Sequence, residues 1–216
     1  MKLSVAIDGP AGAGKSTIAK LVGKEFNLVY INTGAMYRAV TLVALRNGKK
    51  PENISDLCSM IDDLEMHFEE DNIIVNGEDL SKKIIMPEIS RQVSGYAAIL
   101  EVRERLVTLQ QKIAEKYNVV MDGRDIGTVV LKNANFKFYL TAMPEKRAER
   151  RYKELIDKGI KAEYTSILSD IIKRDYADSH REIDPLTKAK DAIEIDSSSM
   201  NIKEVVDVIS QYINKA

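Results

Sequence analysis

The eight residues from Gly9 to Ser16 read G-P-A-G-A-G-K-S and constrain the fold more than any other stretch of this chain. They match G-x-x-x-x-G-K-[ST] at every fixed position, after an apolar run at Leu3–Ile7 and before a helical pattern at Thr17–Phe26. A strand, a glycine-rich loop and a helix in this order form a phosphate-binding P-loop, because backbone N–H groups and the helix N-terminus face an anion there. The stretch therefore predicts a nucleoside triphosphate site.

The loop also predicts the residues on the donor side of that site. Lys15 is expected to reach the β- and γ-phosphates of ATP, and Ser16 to ligate Mg²⁺, the predicted cofactor. The expected ATP contacts in the loop are Gly9, Pro10, Ala11, Gly12, Ala13, Gly14, Lys15, Ser16 and Thr17.

Composition excludes several other classes of protein. The net charge of −1 over 216 residues is unfavourable for a nucleic-acid surface, which usually has a basic face. Cys58 is the one cysteine, so no intramolecular disulfide can form. No apolar stretch approaches the ~18 residues that a transmembrane helix needs. We expect a cytoplasmic monomer that binds small molecules and neither nucleic acid nor membranes.

Short apolar runs alternate with longer helical patterns along the chain. The runs predict strands at Leu3–Asp8, Leu28–Asn32, Val119–Asp122, Phe136–Thr141 and Ile193–Asp196. The longer patterns predict helices at Lys15–Phe26, Gly34–Asn47, Val102–Tyr117, Pro144–Lys158 and Ile202–Ile213. This alternation is typical of an α/β fold with a parallel sheet covered on both faces. Met66–Leu80 carries turn signals at Asp71-Asn72 and Asn76-Gly77 and predicts a small β insert with helical flanks.

The P-loop alone leaves the reaction undetermined. A GTPase switch needs N-K-x-D and D-x-x-G segments, and neither occurs in the sequence. A motor ATPase usually has a larger chain. Six of the eleven arginines lie between Arg124 and Arg181, and arginine grips phosphate through a bidentate fork. The pattern therefore favours phosphoryl transfer to a small molecule. Arg147, Arg150 and Arg151 fit either a mobile lid over the ATP phosphates or a solvated helix face, and both interpretations stay open.

Four further segments resemble the bacterial cytidylate kinase (CMP kinase) family, and together with the P-loop they extend along the whole chain. They read N-T-G-A-M-Y-R from Asn32, M-D-G-R-D-I-G-T-V-V from Met121, K-R-D with D-x-x-R ahead of D-P-L from Lys173, and D-A-I-E-I-D-S-S-S from Asp191. Adenylate kinases share the P-loop but not these segments. Shikimate kinases would need an acidic pair where Asn32-Thr33 stands.

This resemblance implies a three-layer P-loop kinase that phosphorylates CMP, and also dCMP, with ATP. It implies one domain over residues 1–216, with a core at 1–32, 105–146 and 180–216. It also implies a monophosphate-binding region with the insert at about 33–104 and a lid at about 147–165.

The resemblance further implies roles for individual residues. The implied catalytic residues are Lys15, Arg38, Arg124 and Arg181, and the ATP contacts extend to Arg147 and Arg151. The implied acceptor contacts are Thr33, Tyr37, Arg38, Ser94, Arg103, Arg124, Asp125, Arg174, Asp178 and Arg181. Asp125, Ser94 and Arg103 match the positions that read cytosine. A carboxylate accepts well from the N4 amino group of cytosine, whereas uracil presents a carbonyl oxygen there.

Ordinary structural interpretations compete with several of these roles. Tyr37 could be a core residue, Ser94 a helix cap and Arg103 a solvated i, i+4 partner. Arg174 and Asp178 could form a simple i, i+4 ion pair.

Two carboxylates lie at strand ends. Asp122 either holds a water on Mg²⁺ or accepts backbone N–H groups of the D-G-R-D turn. Asp8, at the end of the first strand, is expected to order the P-loop.

Two functional alternatives also remain from the sequence alone. The acceptor could be UMP, dCMP only or a non-nucleotide. The chain could instead bind ATP and signal to a partner without phosphoryl transfer.

Overall fold

The structure is a computed structural model, and it describes residues 2–215. In chain order the elements are β1 (Ser4–Asp8), α1 (Lys15–Glu25), β2 (Val29–Asn32), α2 (Thr33–Arg46), α3 (Ile54–Asp62), β3 (Met66–Glu69), β4 (Asn72–Val75), β5 (Glu78–Asp79), α4 (Pro87–Ala97), α5 (Leu100–Lys116), β6 (Val119–Gly123), a π-helical turn (Ile126–Val130), β7 (Phe136–Thr141), α6 (Pro144–Asp157), α7 (Tyr164–His180), β8 (Ile193–Asp196) and α8 (Ile202–Asn214).

Five strands form a parallel sheet in the order β2-β6-β1-β7-β8. One face of this sheet packs against α1 and α8, where Ile18 and Ile209 join the cluster around Val5 and Ile7. Ala6, whose side chain points to the opposite face, is also completely buried. Strands buried on both faces require helices on both sides of the sheet. The predicted α/β fold and its five core strands are confirmed.

The predicted β insert is present as a separate antiparallel sheet of β3, β4 and β5. Asn76 and Gly77 connect β4 to β5 with positive φ angles of 51° and 77°, as a type I′ hairpin turn requires. The first turn is displaced from its predicted place: Glu70 has the positive φ of 52°, and Asn72 already begins β4.

The chain divides into two compact units. We call the residues up to Tyr30 and from Tyr117 onward the sheet unit, and Ile31–Lys116 the insert unit. Helix α5 falls in the insert unit, whereas the implied division assigns residues from 105 onward to the core. The implied division into core, monophosphate region and lid stays a prediction.

Two elements were not delimited from the sequence. Helix α7 runs over Tyr164–His180, where the sequence indicated only the helical spacing of Arg174 and Asp178. The segment after the D-G-R-D motif forms a π-helical turn, in which the Leu131 N–H donates to the Ile126 carbonyl at 2.7 Å. Within residues 2–215, no helix has the length and apolar character to cross a membrane.

Candidate functional site

The P-loop follows β1 directly, and its first glycine is required by close packing. Gly9 has φ +146°, and a Cβ at this position would lie 2.0 Å from the Leu140 carbonyl oxygen. Lys15 is buried, and its Nζ donates to the Pro10 carbonyl at 2.7 Å. Burial lowers the pKa of Lys15 well below its ordinary value, and the nearby positive charge of Arg124 lowers it further. Anionic phosphates would offset both effects.

Ser16 is linked to the carboxylate at the end of β6. Its hydroxyl donates to Asp122 Oδ2 at 2.9 Å, and the Tyr30 hydroxyl donates to Asp122 Oδ1 at 2.8 Å. Oxygen ligands of this kind suit Mg²⁺, which normally combines one or two protein ligands with substrate phosphates and water. The described residues contain no group of three or more His, Cys, Asp or Glu side chains placed to hold a metal. The Ser16 and Asp122 oxygens fit a Mg²⁺ ion of this kind.

Asp8 does not have the predicted partner. Its carboxylate accepts from the N–H groups of Ile126 and Gly127, at 2.8 and 2.7 Å, in the π-helical turn. The expectation that Asp8 orders the P-loop is therefore corrected. Burial raises the pKa of Asp8 from 3.8 to about 6, against the opposing effect of the two N–H groups.

Arg124, Arg174 and Asp178 form one charged cluster in the sheet unit. Asp178 Oδ2 lies 2.8 Å from Arg124 Nε and 3.7 Å from Arg174 Nε. The i, i+4 pair exists, but the shorter contact of Asp178 is with Arg124. Burial lowers the pKa of Arg124, but the carboxylates around it, Asp178 foremost, raise it above its ordinary value overall. Arg124 therefore stays charged although its side chain is only 16% exposed.

Arg181, just past the end of α7, meets the proposed base-reading carboxylate. Its Nη2 lies 3.5 Å from Asp125 Oδ1, and both side chains are 7% exposed. Its Nε also donates to the Asp184 carbonyl at 2.7 Å. A predicted phosphate-binding residue and a predicted base-reading residue are thus neighbours.

The three α6 arginines have different surroundings. Arg147 is buried, and its guanidinium contacts the Ala11 carbonyl of the P-loop at 2.9 Å, the Ala142 carbonyl at 2.8 Å and Asp175 Oδ2 at 2.6 Å. A solvated helix face is therefore wrong for Arg147. By contrast, the exposed residue Arg150 donates to the Ser197 carbonyl at 2.6 Å. Arg151 pairs with Glu154 at 2.7 Å along its own helix.

In the insert unit, Arg103 and Tyr37 form a buried pair. Arg103 is 1% exposed, and its guanidinium lies 5.7 Å from the centre of the Tyr37 ring. Its Nη1 donates to the Ala97 carbonyl at 3.3 Å. A solvated role is therefore wrong for Arg103. Tyr37 is itself a buried residue, as its core interpretation requires.

The remaining predicted residues of the insert unit lie on α2 and α4. Ser94 lies within the last turn of α4, whose cap residues are Met86 and Ala98, so the alternative of a helix cap is wrong. Thr33 is the buried first residue of α2, whose N-cap is Asn32. Arg38 follows one turn later, and its Nη1 would lie 3.5 Å from a Cβ at Gly34.

Sequence reasoning missed three contributions to this site. Tyr30 holds Asp122, Asp175 holds Arg147, and Asp8 holds the segment after Asp125. The only sequence signal was placement: each side chain lies near the carboxyl end of a strand or next to a predicted site residue.

The sequence profile described as Cytidylate kinase matches residues 5–215. The chain belongs to the cytidylate kinase family. Among relatives named Cytidylate kinase, the Clostridium acetobutylicum protein is 66% identical over 215 residues, covering 100% of this chain and 99% of the relative. The Clostridium perfringens SM101 protein is 64% identical over 213 residues, covering 99% and 98% respectively.

A solved structure gives independent support for the fold. Shikimate kinase from Bacteroides thetaiotaomicron aligns over 99% of each chain, with a TM-score of 0.53 and 14% sequence identity. At this identity the likeness concerns the fold alone. The profile and the relatives confirm the implied family, and the solved structure supports the P-loop kinase fold.

Proposed function

We propose that this protein transfers the γ-phosphoryl group of ATP to CMP, giving ADP and CDP, with Mg²⁺ bound alongside ATP and with dCMP as a second acceptor. The family match over nearly the whole chain supports this reaction. The observation that carries it is the parallel register of β1 and β6. Asp8 lies opposite Gly123, so the P-loop and the segment bearing Arg124 and Asp125 begin side by side at the carboxyl edge of the sheet, where such sheets bind ligands.

We assign the donor side to the P-loop and its neighbours. In this proposal, Lys15 and the loop N–H groups hold the β- and γ-phosphates. Mg²⁺ would neutralise charge on these phosphates, next to Ser16 and Asp122. Arg147 is suited to a donor role because its guanidinium is anchored at the Ala11 carbonyl of the loop. Arg151, one turn further along α6, is the second proposed lid contact.

We assign the acceptor phosphate to Arg38, Arg124 and Arg181. Phosphoryl transfer needs mainly positioning and charge neutralisation, so arginines held before substrate arrives can lower the barrier without reorganisation. Arg124 and Arg181 are held in this way by Asp178 and by the Asp184 carbonyl. No general base is needed, because a phosphate monoester is already largely ionised near neutral pH.

The remaining proposed acceptor contacts concern sugar and base. Arg174 and Asp178 are proposed to meet the sugar hydroxyls. Ser94, Arg103 and Asp125 are proposed to read cytosine, and Thr33 and Tyr37 to contact the nucleotide. The buried Arg103–Tyr37 pair supports this assignment because it holds a charged group at a fixed place away from bulk water. We further propose that the protein is a cytoplasmic monomer.

Asp125→Asn tests base reading. The amide can donate to the uracil carbonyl and lacks the charge that favours the cytosine amino group. We expect the ratio of kcat/KM for CMP over UMP to fall ~10–100-fold, the equivalent of one charged hydrogen bond. The measurement is steady-state kinetics with both acceptors. Asp62→Asn, which alters an exposed carboxylate paired with Arg105, is the control and should leave the ratio unchanged. An unchanged ratio in Asp125→Asn would remove Asp125 from base recognition.

An acceptor panel tests the reaction itself. ADP formation is measured with ATP and, in turn, CMP, dCMP, UMP, AMP and shikimate. We expect CMP and dCMP to give the highest kcat/KM. Preference for another acceptor would contradict the proposal, and ATP binding without transfer to any acceptor would favour a sensor.

A further inference from the structure

We propose that Asp8 is a positioning residue that caps the π-helical turn Ile126–Val130 and so fixes the orientation of Arg124 and Asp125. Its Oδ1 accepts from the Ile126 N–H at 2.8 Å, and its Oδ2 accepts from the Gly127 N–H at 2.7 Å. The first N–H groups of a helical turn have no partner inside it. The adjacent N-cap residue, Asp125, makes no side-chain cap bond. A carboxylate from β1 therefore does what a local cap does elsewhere.

The fit between Asp8 and the turn is close. Asp8 is 4% exposed. A Cβ on Gly127 would lie 3.3 Å from Asp8 Oδ2 and 3.2 Å from the Lys137 Cδ atom. Glycine at position 127 therefore allows the approach. A π-helical turn is uncommon and recurs at functional sites. The two hydrogen bonds that Asp8 accepts from this turn are therefore relevant to the candidate site.

Loss of the two hydrogen bonds of Asp8 should weaken binding of the phosphoryl acceptor, CMP, more than binding of the phosphoryl donor, ATP. Arg124 and Asp125 immediately precede the capped N–H groups, so loss of the cap would let both side chains depart from their positions. The P-loop has other supports: Lys15 Nζ holds the Pro10 carbonyl and Arg147 holds the Ala11 carbonyl. The predicted asymmetry between the two substrates rests on the proposed function; the capping itself does not.

Asp8→Asn is the decisive variant because it keeps the shape but turns one acceptor oxygen into an NH₂ group facing a backbone N–H. We expect KM for CMP to rise ~10–100-fold and KM for ATP to change less than ~3-fold. Hydrogen exchange of the Ile126 and Gly127 amides, followed by NMR without substrate, should become faster by a similar ~10–100-fold. Exchange also provides a readout that does not depend on CMP being the acceptor.

Val5→Ala is the matched control. Val5 lies on the same strand and is completely buried, so its truncation weakens the core without touching a polar contact. It should lower Tm but leave two quantities unchanged: KM for CMP, and the difference in exchange rate between the Ile126 and Gly127 amides and the amides of β6. If Val5→Ala reproduced the Asp8→Asn kinetics at equal loss of Tm, Asp8 would be a stability residue only.

The pH profile gives another readout. Burial raises the pKa of Asp8 to about 6, and protonation would weaken both acceptor bonds, so CMP affinity should fall below pH 6 more steeply in the wild type than in Asp8→Asn. The charged or titratable groups facing Asp8 are Lys15, Asp125 and Tyr139. They remain in both proteins, as does the phosphate of CMP, which also titrates near pH ~6. The difference between the two profiles therefore isolates Asp8.

The contribution of Asp8 to the free energy of unfolding should change with pH in the opposite direction to its contribution to CMP affinity. The pKa of Asp8 is higher in the folded protein than its ordinary 3.8. Protonation between these values therefore favours the folded state, and this group should not cause acid unfolding there. Equal changes in KM for both substrates, or unchanged exchange at Ile126 and Gly127 in Asp8→Asn, would overturn the proposal. A wild type that fails to phosphorylate CMP would refute the proposed function, and the exchange data would still decide the capping role.

Discussion

Arg124→Ala should reduce kcat/KM for CMP by ~10³-fold or more, while the Kd for ATP changes less than ~3-fold. Removal of one preorganised charged donor costs ~10²–10³ in kcat, and weaker binding of the acceptor phosphate adds to this. The loss should also exceed that of one contact, because Asp178 would keep only its longer 3.7 Å contact with Arg174 within this cluster. A coupled ADP assay and calorimetric ATP titration measure the two quantities.

Two further variants separate the possible causes of this loss. Arg124→Lys distinguishes loss of the guanidinium from loss of the positive charge, and Arg46→Ala tests the effect of removing a surface arginine. Lysine keeps the charge but cannot reproduce a bidentate fork, so Arg124→Lys should recover only part of the activity. Arg46 is an exposed arginine paired with Glu78 at 2.7 Å. Because surface ion pairs contribute ~0–1 kcal/mol, Arg46→Ala should leave turnover and Tm close to the wild-type values. Turnover of Arg124→Ala within ~10-fold of wild type would be incompatible with the role assigned to Arg124.

Lys15→Met should reduce kcat by ~10²–10³-fold without destabilising the substrate-free protein. Methionine keeps most of the apolar stem and removes the ammonium, whose burial is unfavourable, as the lowered pKa of Lys15 indicates. Removing the buried ammonium should stabilise the folded protein, whereas losing its bond to the Pro10 carbonyl should destabilise it. We therefore expect an unchanged or slightly higher Tm. Turnover is measured at saturating ATP and CMP, and Tm by calorimetry.

Lys24→Met is the control on the same helix. Lys24 is an exposed residue in the last turn of α1, so its substitution should change neither kcat nor Tm appreciably. A Lys15→Met protein with wild-type turnover would exclude a catalytic role for the ammonium. A large fall in Tm would show instead that Lys15 is mainly a structural support of the loop.

The sheet could be predicted from the sequence because its strands are short apolar runs separated by helical patterns. The P-loop could be located because its glycines and lysine have fixed spacing. The π-helical turn could not, because no residue within Ile126–Val130 specifies it. It depends on a carboxylate at Asp8, and local propensity contains no information about a partner so distant in sequence.

In the candidate site, too, local spacing could be predicted from the sequence but tertiary contacts could not. The sequence correctly indicates that Arg174 and Asp178 are neighbours at i, i+4, since that spacing is a property of the helix itself. The shorter contact of Asp178, with Arg124, joins α7 to the segment that follows β6, and helical spacing cannot show a contact between residues so far apart in sequence. A solvated position is a natural expectation for Arg103 because arginines are rarely buried; its place over the Tyr37 ring follows from the packing of α2, α4 and α5.

The bonds from Asp8 to Ile126 and Gly127 join residues 118 and 119 positions apart. On a ribosome, a chain long enough to form the P-loop and α1 would still lack β6 and the turn beyond it. Closing so long a loop is entropically costly and slow compared with local structure. A nascent or refolding chain should therefore position its acceptor arginine, Arg124, late, in the step that pairs β1 with β6.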